Sequence, residues 1–154
     1  MLAMNPLYQR NFNVNYFEKE EHVWGIQANL KDKHHDLAVE VDVAVPEMVI
    51  LDCRIKFSRY QVVQCVMIED LAQQLKGTCI FSDYQPKCLK LFLGPQGCPN
   101  IMTLFLVSVP ALIYFYFPHQ IKIGKMTHQE WEAMVKTRFA SACLAHSLMY
   151  NPVS

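Results

Sequence analysis

The sequence predicts an α+β domain, with an antiparallel sheet of about four strands first and helices after it that cover one face. Three observations lead there. Period-two alternation of apolar and polar residues is confined to residues 8–57. Helical spacing and helix-end signals are confined to residues 65–150. The 154 residues hold no internal repeat, low-complexity segment or linker, so a single domain over 1–154 is the expectation. Strands followed by helices, rather than alternating with them, are the α+β signature.

Residues 1–7 read as a leader. Tyr8 to Phe17 reads as the first strand, because Phe12, Val14 and Tyr16 alternate with Asn11, Asn13 and Asn15. Glu18 to Glu21 reads as a charged turn. Val23 to Leu30 is the second strand, with Trp24, Ile26, Ala28 and Leu30 on one face. A polar connection, Lys31 to Asp36, follows. Leu37 to Val45 gives the strongest strand signal: Leu37, Val39, Val41, Val43 and Val45 face one way, with Glu40 and Asp42 opposite. Pro46-Glu47 breaks it, and Met48 to Phe57 is the fourth strand. Together the four read as an antiparallel meander with one face to be covered.

Past Tyr60 the period changes. Val66, Ile68, Leu71, Ala72 and Leu75 sit at helical spacing within 65–76, and Gly77 is placed to stop the helix. A shorter helix is expected over 84–93. Gly94 to Asn100 is a breaker. Ile101 to Phe117 is almost wholly apolar. It falls short of the roughly 20 residues of a membrane span and carries Pro110, so it reads as a buried helix bent or broken there. In the last helix Thr127-x-x-Glu130 is a capping box. Trp131, Met134, Val135, Arg138, Ala142, Ala145 and Met149 follow as one face, ending at Asn151-Pro152.

Composition narrows the function classes. Hydrophobic residues make up 52% of the chain and charged residues 18%, so the surface is poor in charge and suits contact with a protein partner or a second copy. Net charge is zero and no basic stripe occurs, which argues against nucleic-acid binding. The N-terminal residues hold neither a basic region nor an apolar run. A cytoplasmic location with reduced thiols is therefore expected for the six cysteines, most of them core packing. No phosphate-binding glycine loop, nucleophile elbow or defensible carboxylate pair is present.

The residues that would carry chemistry lie at element ends: His34-His35-Asp36, Cys65 and Gly97-Cys98-Pro99. Cys65 and Cys98 as thiolates, His35 as imidazole, and Asp36 as ligand or orienting group form a set that suits zinc or iron. No CxxC pair supports it, and packed cysteines with solvated histidines are the plain alternative. Cys98 before a helix, with His35 as base, would make a nucleophile. Cys143-x-x-His146 would share one helix face. His22, His119 and His128 are expected at the surface.

Tyr8-Gln9-Arg10-Asn11-Phe12 and Val23 through Asp32 resemble the opening of an uncharacterised bacterial group, the domain-of-unknown-function family twenty-eight eighty-nine. His35-Asp36-Leu37 resembles that family's early His-Asp before an apolar strand. Cys65, with Gly77 closing its helix, resembles its mid-chain Cys. Gly97-Cys98-Pro99-Asn100 resembles its late Gly-Cys-x-His, except that Asn100 stands in the histidine's place. The layout is also similar to iron–sulfur cluster scaffolds of the IscU or NifU type. That similarity implies that His35 or Asp36, Cys65 and Cys98 converge at one end of the sheet.

The functional expectation is an accessory or subunit protein without catalysis. It would bind a partner through the apolar helical surface at 101–117, with Tyr114, Phe115, Tyr116, Phe117 and Trp131 lining a pocket or interface. The alternative is a metal or iron–sulfur protein using His35, Asp36, Cys65 and Cys98. The weakest is a small enzyme acting on a hydrophobic substrate.

Overall fold

The computed structural model describes residues 4–150. They form four strands: β1 (Asn11–Glu20), β2 (Val23–Lys31), β3 (Asp36–Ala44) and β4 (Val49–Arg59). A 3₁₀ helix (Val63–Leu75) follows, then α1 (Tyr84–Phe92), α2 (Pro99–Ser108), α3 (Leu112–Lys122), α4 (His128–Arg138) and α5 (Leu144–Tyr150). The fold is α+β, an N-terminal four-stranded antiparallel sheet followed by helices. The chain divides into two compact units, residues 1–112 and 113–154.

In the first unit the strands pair in sequence order, each antiparallel to the next. Register puts the expected apolar residues on one face. Val14, Ala28, Val39 and Ile55 form one row across the sheet, and Tyr16, Ile26, Val41 and Cys53 the next. A slip of one residue would turn every one of these side chains to the other face. That other face is a charge network. Lys19 Nζ meets Asp42 at 2.9 Å, Arg54 meets Glu40 at 3.2 Å and also Asp52, and Lys76 meets Asp52 at 3.0 Å.

Helices α1 and α2 bury single stripes. Tyr84, Cys88 and Phe92 are the buried residues of α1; Ile101, Leu104, Phe105 and Ser108 are those of α2. The two meet where Phe92 and Phe105 rings lie 5.1 Å apart and Tyr84 Oη donates to the Phe105 carbonyl (2.9 Å). Tyr16 Oη donates to the Ser108 carbonyl (2.5 Å), which ties β1 to α2.

Several sequence expectations are corrected. β1 begins at Asn11 rather than Tyr8, because its partner strand ends at Lys31, opposite Asn11. It also runs on to Glu20: Glu18 and Glu20 stay in the ladder through a bulge, so the turn shrinks to Glu21-His22. The helix expected at 65–76 is a 3₁₀ helix. It buries only Ile68, Ala72 and Leu75, and its β-branched Val63, Val66 and Ile68 favour the α form weakly. Gly77 closes it at φ +77°, and its N–H donates to Ile50 of β4.

The apolar run breaks at residues 109–111, around Pro110, as expected. Helical residues reach further than the apolar stretch, to Lys122. The run Pro99–Lys122 has 24 residues and is, by length and composition, long and apolar enough to cross a membrane; half of its most apolar window is buried in the protein.

In the second unit the capping box is complete. Thr127 Oγ1 accepts from Glu130 N–H (3.1 Å), and Thr127 N–H donates to the Glu130 carboxylate (2.7 Å). The single long helix is not formed. It stops at Arg138, and α5 starts at Leu144. Of the expected face only Val135 is buried; Ala142, Ala145 and Met149 are exposed. Without burial, helical spacing gives the backbone little reason to continue. The end signal Asn151-Pro152 lies outside the described residues.

Candidate functional site

At one end of the sheet a single residue, Asp32, links its own turn to Arg10 through its carboxylate and to Arg59 through its main-chain carbonyl. Asp32 follows β2 and opens the turn into β3. Its Oδ1 accepts from the backbone N–H groups of His34 and His35, both at 2.8 Å, an Asx-type turn. The Asp32 N–H donates to the His35 carbonyl (2.9 Å), and Arg59, ending β4, donates to the Asp32 carbonyl (2.6 Å). The same carboxylate holds the His35 ring, Nδ1 lying 3.0 Å from Oδ1. Arg10 grips it from the other side through Nε (2.8 Å) and Nη2 (2.7 Å), while Arg10 Nη1 donates to Asn100 Oδ1 (2.9 Å) in the first turn of α2.

Burial alone would raise the Asp32 pKa. The hydrogen bonds from His34, His35 and Arg10 outweigh it and hold the carboxyl well below the ordinary carboxylate range. An ionised Asp32 accepts only, so Nδ1 of His35 carries the proton donated to it. A cavity of about 350 Å³ adjoins the carboxylate, lined by Tyr8, Gln9, Arg10, Asp32, Lys33 and His34. His35 does not line it. The arrangement therefore acts as a clamp on the turn and on the N-terminus of α2.

The expected ligands are distributed as follows. His35 is paired with Asp32, a residue absent from the expected set. Asp36 turns to Lys31 Nζ (3.4 Å). Cys65, in the 3₁₀ helix, and Cys98, at the N-cap of α2, line one cleft of about 510 Å³ with Val62, Met67, Ile68, Leu71, Pro95 and Pro99. Gly97 sets Cys98 there: a Cβ at Gly97 would run into the backbone of Phe92. Among the described residues no three His, Cys, Asp or Glu side chains are grouped to hold a metal ion. The structure thus brings Cys65 and Cys98 to one cleft, and joins the His35 and Asn100 motifs through Asp32 and Arg10.

The remaining cysteines divide by burial. Cys53 and Cys88 are fully buried; burial raises the Cys53 thiol and pushes Cys88 up to about 11, so both stay protonated packing groups. Cys79 Sγ lies 3.8 Å from the Glu47 carbonyl. Cys143 is exposed and precedes α5, so it shares no long helix with His146, whose Nδ1 lies 3.0 Å from the Phe139 carbonyl. Of the expected aromatic surface, Tyr114 and Phe115 are exposed, whereas Tyr116 and Phe117 are buried. Phe117 stacks on Trp131 at 5.3 Å.

One family model matches, and it spans residues 8–113, from the Arg10 clamp through the sheet to the end of the first unit. Its description is a protein of unknown function, DUF2889. The chain belongs to this family. No curated protein and no solved structure matches it. The DUF2889 region thus holds both the clamp and the two-cysteine cleft, and α4 and α5 lie outside it. The apolar helical run is an element suited to partner contact.

Proposed function

We propose that this DUF2889 protein is a non-catalytic accessory subunit that holds an apolar, uncharged segment of a protein partner in the cleft between the 3₁₀ helix and the loop before α2. One observation supports the reading above others. The cleft lining contains no charged residue, and Val62 and Met67 in it are 55% and 74% exposed. Val63 and Leu93, close by in the chain, are 65% and 62% exposed. Large apolar side chains gathered at that exposure, in a chain poor in charge, favour a surface that is covered in use. The clamp supports the same reading, since it holds Asn100 and hence the adjoining Pro99 wall of the cleft. A photo-crosslinking residue at Met67 tests it in the producing cells, with Lys56 on the charged face of the sheet as control. One recurrent protein adduct at position 67, absent at 56, is expected. Adducts equal at both positions, or none at 67, would sink the proposal.

A second reading rests on the two thiols in that cleft. Cys65 and Cys98 supply two soft ligands, and side chains of a bound partner would complete a site for zinc or iron. Elemental analysis of anaerobically purified protein tests it. Metal near one per chain that disappears in Cys65→Ala supports the site; metal-free wild-type protein removes it.

A further inference from the structure

The two edges of the sheet are finished differently. β4 is covered where it begins: Gly77 N–H donates to Ile50 (2.8 Å), Ile50 N–H to Thr78 (3.0 Å) and Ile80 N–H to Met48 (2.7 Å), and Val49 bridges Cys79. Among the described residues β1 has no strand neighbour but β2, so its other edge carries no paired strand there. Open edges are normally protected by charge, proline, a bulge or shortness. β1 places its charges and its bulge at one end, Glu18 to Glu20. Asn11 through Phe17 carries no charge, glycine or proline, and Phe12 and Phe17 are 44% and 43% exposed.

We propose that β1 pairs antiparallel with β1 of a second copy of this chain, about a two-fold axis at Val14, joining the two sheets edge to edge. The register follows from the side-chain pattern. A two-fold axis on a residue keeps each face continuous, since Phe12, Val14 and Tyr16 then meet the same set. Centred on Val14, Phe12 lies opposite Tyr16 twice, an aromatic cross-strand pair on the apolar face. Asn13 lies opposite Asn15 on the polar face. Centred on Asn13 or Asn15, the aromatic pair is lost, and Tyr16 meets Arg10 or Phe12 meets Glu18. The pairing extends existing strands and needs no segment to refold.

Sedimentation velocity on the full chain over a dilution series tests the inference. A reversible dimer is expected. Asn13→Lys with Asn15→Lys sets like charges across the axis at exposed positions and should weaken it about tenfold. Asn13→Lys with Asn15→Asp sets opposite charges there and should keep it. A monomer at every concentration overturns the proposal. So does a dimer that ignores the double lysine change, or one weakened equally by both pairs. Hydrogen exchange on the wild-type chain gives a readout free of folding defects: β1 amides should gain protection with concentration. Protection that does not change overturns the pairing as well.

Discussion

The family-matched unit and the C-terminal unit are both helix-bearing and apolar, yet they bury their residues very differently. Residues 8–112 hold a continuous core: the apolar face of β2 and β3, the buried stripes of α1 and α2, and the Phe92–Phe105 contact. From residue 113 on, the buried apolar side chains among the described residues are Ile113, Tyr116, Phe117 and Val135. The difference teaches that an apolar sequence is not yet a core. In the sheet each apolar residue has a cross-strand neighbour on its own face, so burial at one position enforces burial at the next. In α4 and α5 the same residue types stay largely exposed, Val135 alone being buried among the described residues of the two helices, and the helix breaks.

The largest expected effect breaks this comparison directly if it fails. Phe105→Ala removes a fully buried ring that packs on Phe92, and should cost about 3–5 kcal/mol in urea unfolding. Phe139→Ala removes a half-buried ring and should cost less than half as much. Equal losses would show that the second unit is as tightly packed as the first.

Asp32 sharpens the comparison within the first unit, by separating the clamp from the core. Asp32→Ala leaves two backbone N–H groups and the Arg10 guanidinium without their acceptor and should cost about 1–2 kcal/mol. The sign of its pH dependence follows from the depressed folded pKa. The contribution is fully present above the ordinary aspartate value of about 4 and is lost as pH falls below it toward the lower folded value. Wild-type protein should therefore lose stability on acidification more steeply than Asp32→Asn. Parallel acid limbs in the two proteins would remove Asp32 as the cause.

How much of this was legible follows the same physics. The Leu37–Val45 alternation named β3 to within one residue, because period-two burial is written along the chain. The ends of β1 were not legible, since they depend on where β2 stops and on a bulge opposite Trp24. His35 and Asn100 were visible as motif residues, but the group joining them was not. Arg10, Asp32 and Asn100 lie in three separate segments, and only the Asp32-to-His34 spacing, that of an Asx turn, carried a local signal. Cys65 and Cys98 were singled out by their ligand chemistry and their places at element ends. That they share a cleft depends on Gly97 and Phe92, whose close approach has no periodic signature.

The smallest effect tests whether a helix-end signal can stand without a core. The Thr127–Glu130 box was readable from four residues because every one of its hydrogen bonds is local. Thr127→Ala removes the acceptor for Glu130 N–H and should cost α4 about 1 kcal/mol. If the second unit is as weakly packed as its burial implies, that loss should appear as reduced helicity and faster amide exchange in residues 128–138. The unfolding midpoint of the sheet should hold still. A loss shared by β2 and β3 amides would mean that α4 is coupled to the first core, and that the contrast between the two units is one of surface exposure rather than of stability.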